Sequence, residues 1–432
     1  NVHRTMLVFA GPMIVGNLLQ QCYNIADTWV VGRFLGAEAL AAVGSSYTLM
    51  VFLTSIIIGL CMGSGAAISM QYGSGDYDRM RQSVYMSFVL IGGISVVLNL
   101  LVYAGMDVLL FVLRVPEEIR PGMKEYLWII FAGILATFLY NYFSNLLRAI
   151  GNSVTPLVFL AVSAVLNVGL DLLCVLVLKW GIAVAAAATV FSQYVSGIGI
   201  LIYTWKKFPQ LLPKREHMKW DKANLTNILN LSVMTCIQQS IMNFGILMVQ
   251  GLVNSFGTVV MAAFAAAVKI DSFAYMPVQD FGNAFSTFVA QNYGAGEQER
   301  IRKGIRSAVA MVALFCALVS SAIFCLAKPL MQIFIEPEKT EIIAVGVQYL
   351  RIEGACYIGI GILFLLYGYY RAVNRPAMSV ILTIASLGTR VLLAYILSAI
   401  PAIGVIGIWM AVPIGWALAD MIGIIVYLRK RT

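Results

Sequence analysis

Residues 12–36 read PMIVGNLLQQCYNIADTWVVGRFLG, a long apolar run that carries a proline, two adjacent glutamines, a tyrosine and one carboxylate, Asp27. Such a run is long enough to cross a bilayer as a helix, and a charge inside it is costly even on lenient insertion scales. Asp27 is therefore the first functional candidate. The rest of the chain reads as the scaffold that gives it partners.

Outward from that run, the 432 residues are 60% hydrophobic and only 11% charged, against about 25% charged in soluble domains. Apolar stretches of membrane length recur throughout and the ten-residue alternation of a barrel does not, so an all-α integral membrane protein is expected. The net charge of +9 would suit a nucleic-acid binder, but the basic residues gather in short loops between spans, as the positive-inside rule places them. Membrane lipids are expected partners and nucleic acid is not. No cleavable signal peptide is legible before the first span, and the opening on Asn1 rather than Met suggests that only part of the native chain is given. The seven cysteines all fall inside expected spans without a CxxC, which reads as apolar packing rather than disulfides or metal ligands. His3 and His217 sit in polar flanks, so neither a His-based metal site nor an enzyme is expected, and no cofactor is implied.

Twelve spans are expected, roughly at 5–34, 39–72, 83–104, 123–147, 157–178, 182–205, 228–253, 259–293, 305–326, 346–370, 377–398 and 405–428. The basic loops are 73–82, 148–156, 206–227, 294–304, 371–376 and the tail; the alternate loops hold Glu117, Glu118, Glu336, Glu338 and Glu341. Both termini then lie on the cytoplasmic side of the membrane. The domain reading is a half at 1–205, a cytoplasmic basic linker at 206–227, and a second half at 228–432.

The halves repeat each other. ISMQYGSGDYDRMRQSV at 68–84 matches VAQNYGAGEQERIRKGI at 289–305, and LLRAIGN at 146–152 echoes YYRAVNR at 369–375. Six spans per half make this a parallel repeat, with a pseudo-twofold axis along the membrane normal and a central cleft between two six-helix lobes. That arrangement usually serves alternating access.

Depth assembles a polar cluster in the first half. Asp27 in the first span, Asp171 in the fifth and Thr189 in the sixth each lie about seven residues from the outer end, on the order of 10 Å deep at 1.5 Å per residue. Tyr23 and Asn167 precede the two aspartates by four residues and share their helix faces. These five side chains can converge, either as a cation site or as hydrogen-bonding glue between helices. The second-half counterparts of Asp27, Asn167 and Asp171 are Gly245, Arg390 and Ala394, so the carboxylate pair is confined to one half, which favours coupling.

The run DTWVVGRFLGAEALAAVG at 27–44 resembles the multidrug and toxic compound extrusion (MATE) family. So do the glycine-containing segments with downstream arginines, the N-x-x-x-D of the fifth span and the two six-span halves. The resemblance covers essentially the whole chain. It implies a cation-coupled multidrug exporter, whose first-half cation site corresponds to Tyr23, Asp27, Asn167, Asp171 and Thr189. It also implies that Pro12 is a hinge. The sodium-coupled branch of the family adds acids in the seventh and tenth spans. Here the seventh has Gln238 and Gln239, and the tenth has Glu353 near one end, read as interfacial.

Two carboxylates in a low dielectric cannot both stay charged cheaply, and one H⁺, or a Na⁺ held by Asp27, Asn167 and Asp171, relieves them. Pro12 lacks a backbone donor, so bending there follows at low cost. Other candidates are weaker. Lys269, Asp271 and Asp280 in the eighth span, Gln238 and Gln239 in the seventh, and Asn141 and Asn145 in the fourth could line a substrate cleft. Lys269 and Asp271 do not share a helix face, and Arg390 could partner Asp271 or Asp280. A monomeric antiporter that exports small cationic amphiphiles in exchange for H⁺ or Na⁺ is expected. A lipid-linked oligosaccharide flippase of the same superfamily is the alternative, disfavoured because only Lys269 and Arg390 are obvious phosphate partners.

Overall fold

The computed structural model describes residues 1–35, 37–112, 117, 120–178 and 181–431. Gly36 of the first-span motif and the loop acid Glu118 lie outside these residues. The described chain is helical: α1 (Val2–Phe34), α2 (Ala37–Ser74), α3 (Tyr77–Ala104), α4 (Met106–Val112), α5 (Arg120–Ile130), α6 (Ile134–Ala149), α7 (Val154–Leu172), α8 (Ile182–Lys207), α9 (Lys222–Asn254), α10 (Thr258–Gly294), α11 (Gln298–Phe334), α12 (Thr340–Gly354), α13 (Tyr357–Ala372), α14 (Pro376–Ser398) and α15 (Val405–Arg431). Helices satisfy every backbone polar group internally, which hydrocarbon demands. Among the described residues, eleven stretches are long and apolar enough to cross a membrane, and α12 with α13 makes a twelfth as one span bent by 51°. The protein is a multi-pass membrane protein.

The duplication is written in the backbone. Gly75 and Gly296, at equivalent points of the two matching segments, both have positive φ, 78° and 75°. Gly151 and Asn374 follow the two Arg-Ala helix ends with φ of 95° and 64°. At each of these ends the next amide reaches back five residues: Asn152 N donates to Leu147 O at 2.9 Å, and Arg375 N to Tyr370 O at 2.8 Å. A left-handed residue closing a helix in this way favours Gly or Asn, which is what the two positions hold. Starts are specified as well. Asp76 accepts from Arg79 N at the head of α3, and Pro376 occupies the first turn of α14.

Two compact units emerge, Gly11–Cys236 and Asn1–Ala10 with Ile237–Thr432. The division in α1 falls at Gly11, next to Pro12, which lies inside an unbroken helix.

In the first unit, α6 packs on α2 and α8, and α7 on α8. Phe88, Phe138, Tyr142 and Phe143 form a ring cluster, and the Tyr142 hydroxyl, fully enclosed, donates to Val84 O at 2.8 Å. Glycines set the closest approach. A Cβ at Gly63 would stand 2.4 Å from Leu231 O, so α2 and the start of α9 meet backbone to backbone.

The segment between α8 and α9 is ordered against α3. Arg81 Nε donates to Gln210 O at 2.7 Å, His217 Nε2 lies 3.0 Å from Asp78 Oδ1, and Trp220 meets Tyr85 edge-on. Asn224, fully buried, bonds Gln71 and Ser83, and α9 begins at Lys222, six residues earlier than expected, so that this amide is in place.

Candidate functional site

Asp171 stands on the last turn of α7, 1% exposed, and is followed by a π-helical turn at Leu173–Val177 closed by Leu178 N to Leu173 O at 3.1 Å. The wider turn shifts the helix face at the point where the carboxylate leaves it, a distortion that recurs at functional sites. Asp27, half-buried on α1, has its carboxyl group beside that of Asp171, within electrostatic reach. One turn deeper on α7, Asn167 is 3% exposed and accepts from Thr189 Oγ1 of α8 at 3.4 Å; Thr189 also bonds Ala185 O. Tyr23 is half-buried on α1. All five residues belong to the unit Gly11–Cys236.

A sixth group joins them. Tyr126 of α5, 8% exposed, lies within electrostatic reach of Asp27, Asp171 and Tyr23. The expected span start at residue 123 puts it too near the membrane surface to join the cluster. From the observed start at Arg120 it lies six residues in, and the depth count that assembled the others would have included it. Two carboxyls, two phenols, an amide and a hydroxyl make an oxygen-rich site able to hold one small cation or a proton. The oxygens Asp27 Oδ1 and Asp171 Oδ1 and Oδ2 are buried without a donor of their own.

The remaining candidates are scattered. Asn141 and Asn145 turn their amides back onto their own helix, to Thr137 O and Asn141 O at 2.8 Å each. Gln239 donates to Gln238 Oε1 at 3.4 Å, and Gln238 is buried. Lys269 is exposed with Nζ 5.8 Å from the Phe334 ring centroid, whereas Asp271, two residues on, is 7% exposed on another face of α10. Asp280 is 9% exposed. Glu353, expected at the interface, is a correction: it is 1% exposed, because the break after α12 folds that helix end against α10, beside Asp271. Tyr349 and Tyr357 donate to the two oxygens of Asp271, and Arg390 faces both acids. Helix counting alone hides this group, since it needs the bend to form.

The MatE family model matches the chain twice, over residues 12–173 and 231–396. The "Probable multidrug resistance protein YpnP" of Bacillus subtilis is 32% identical over 389 residues, covering 89% of this chain and 86% of that protein. The "Probable multidrug resistance protein NorM" of Thermotoga maritima is 25% identical over 427 residues, 98% and 90% of the two chains. An aspartate-to-asparagine variant of the MATE transporter VcmN from Vibrio cholerae superposes with a TM-score of 0.92 at 22% identity, covering 99% of this chain and 97% of that one. The likeness of fold therefore extends over the full length.

Proposed function

Because the chain belongs to the MatE family of membrane transporters, we propose that it is a multidrug exporter, in which outward movement of amphipathic organic cations is exchanged for H⁺ or Na⁺. It works by alternating access in a bacterial plasma membrane, as a single chain with both termini on the cytoplasmic side. The observation that carries the reading is the placing of Asp27 and Asp171 within electrostatic reach of each other, backed by Asn167, Thr189, Tyr23 and Tyr126. Two neighbouring carboxylates bind a proton or a small cation as a unit, because occupancy removes their repulsion in a medium that screens poorly. Binding draws α1 onto α7 and α8, and Pro12, whose helix lacks one backbone bond, takes up the bend. A ligand can shift a conformational equilibrium only by its differential affinity for the two states, and closing this cluster supplies such a difference. Lys269, Gln238, Gln239, Asn141, Asn145, Asp271 and Asp280 are the side chains through which substrate contact is first sought.

The test is ethidium or norfloxacin efflux from proteoliposomes under an imposed H⁺ or Na⁺ gradient. Wild type is expected to export with one of the two gradients, and Asp27→Asn and Asp171→Asn to lose gradient-driven export while keeping helical content. Full transport by either variant would sink the coupling role.

A further inference from the structure

Residues 206–222, which join α8 to α9, carry Lys206, Lys207, Lys214, Arg215, Lys219 and Lys222 against two acids, Glu216 and Asp221. All six basic residues are exposed, and among the described residues none of the ion pairs formed involves them. A loop whose charges served topology alone would need no fixed path. This one is a strap, fastened to α3. His217 Nε2 lies 3.0 Å from Asp78 Oδ1, and Arg81 Nε donates to Gln210 O at 2.7 Å. Gln82 Nε2 donates to Lys219 O at 3.5 Å, and the Trp220 ring meets Tyr85 edge-on with centroids 5.9 Å apart. Positions 78, 81, 82 and 85 share one face of the helix by their spacing. Leu211 and His217, 1% and 6% exposed, fill the inside of the strap.

Its outer side is not purely polar. Met218 and Trp220, on either side of Lys219, are 49% and 52% exposed. Large apolar side chains left open beside a row of cations mark an interaction surface. Tyr85 gives the level of that surface. It lies just inside the third span, whose expected start is residue 83, on a helix long and apolar enough to cross the bilayer. A ring that meets Tyr85 from outside α3 is at the boundary between headgroups and hydrocarbon, where Trp collects. Trp205, 66% exposed on the last turn of α8, marks the end of the span that leads into the strap.

We infer that the strap binds the phosphate headgroups of anionic lipids, with Lys214, Arg215, Lys219 and Lys222 on the phosphates and Met218 and Trp220 set into the boundary below them. A cluster of this many cations beside a span gathers anionic lipid by electrostatic attraction, and the apolar pair adds burial. The fixed path strengthens this, since a surface already ordered loses less freedom on binding. A soluble polyanion would meet the charges but leave Met218 and Trp220 in water, so a lipid surface accounts for both. The inference depends neither on the Asp27–Asp171 pair nor on which leaflet the strap faces.

The experiment places the full chain in nanodiscs whose two leaflets have the same composition, so that the proposed topology does not enter the result. Lipids brominated on their acyl chains quench nearby Trp emission, and the Trp220 contribution is obtained by comparing each protein with its own Trp220→Phe counterpart. Quenching of that contribution is expected to be about twofold greater with brominated phosphatidylglycerol than with brominated phosphatidylcholine at equal mole fraction. Lys214→Gln, Arg215→Gln, Lys219→Gln and Lys222→Gln combined should remove the preference. Arg302→Gln, Lys303→Gln and Arg306→Gln combined, all exposed in the other half, should leave it intact, as should inorganic phosphate in place of chloride at equal ionic strength. Equal quenching by the two lipids, or none by either, overturns the inference, and so does a preference that survives the four strap substitutions. Loss of the preference in the control variant would assign it to the overall charge, and loss in phosphate would make the site one for a free anion; either result overturns the lipid assignment. Thermal unfolding is recorded throughout, and the four strap substitutions are measured singly should the combination not fold.

Discussion

Asp27 on α1 and Asp171 on α7 place their carboxyl groups within electrostatic reach of each other, and among the described residues no cationic side chain is seen to act on either one. Two neighbouring carboxylates of this kind titrate or take up a cation as a unit. The pair should therefore behave as one functional unit. The combined Asp27→Asn and Asp171→Asn protein is expected to transport no worse than the poorer single variant, since each substitution already removes the shared site. A double-mutant cycle on gradient-driven ethidium efflux measures this. Strictly multiplicative losses would mean two independent groups.

The supporting shell should grade by what each side chain does. Thr189→Val removes the donor to Asn167 without changing shape, and its loss is expected at about 1 kcal/mol, roughly a fivefold weaker response to the driving cation. Tyr126→Phe deletes a phenol facing both aspartates and should displace the pH profile of export while leaving the amount of folded protein unchanged. Export rate against pH and Na⁺ concentration separates the two. A Thr189→Val protein as inert as Asp171→Asn would argue for a larger role than positioning.

The segment between α8 and α9 is clasped and not free. Arg81→Ala, which removes the bond to Gln210 O, and His217→Ala, which removes the contact with Asp78, should each open it more often. With about 1 kcal/mol lost in Arg81→Ala, trypsin in detergent solution should cut between Lys206 and Lys222 roughly fivefold faster, and His217→Ala should act in the same direction. Unchanged cleavage would show that Leu211, 1% exposed, and the Asn224 network suffice alone.

Two glycines of similar helical setting should respond with opposite sign. At Gly63, a new Cβ meets Leu231 O and Ser232 backbone atoms closer than 3 Å, so Gly63→Ala is expected to destabilise by about 1–3 kcal/mol. At Gly93 in α3 nothing lies within 4 Å, and Gly93→Ala should stabilise by about 0.5–1 kcal/mol through helix propensity. Thermal unfolding of the purified variants reads both.

The sequence made the membrane helices, the repeat and the first-half cluster readable because each rests on a local or periodic property: runs of apolar residues, matched glycine turns, and depth counted from a span end. Asp27, Asp171, Asn167 and Thr189 came together because straight helices of known rise preserve depth. Glu353 did not, since its position depends on a 51° bend after Gly354, which a depth count along straight helices does not register. Tyr126 was lost to a span start misplaced by three residues, an ordinary error at a helix boundary. The backbone-bonded amides of Asn141 and Asn145 were open to several partners, and a rotamer choice decided them.

The matched turns at Gly75 and Gly296, and at Gly151 and Asn374, carry a practical consequence for anyone rebuilding the molecule. Loops that leave and re-enter their helices with the same backbone conformation are interchangeable joints. Residues 72–77 and 293–298, or 148–152 and 371–375, can be exchanged between the halves with their trajectories intact, whereas a loop of equal length lacking the left-handed residue cannot. Modular shuffling of this transporter should therefore be cut at those four corners, where the two halves still share one blueprint.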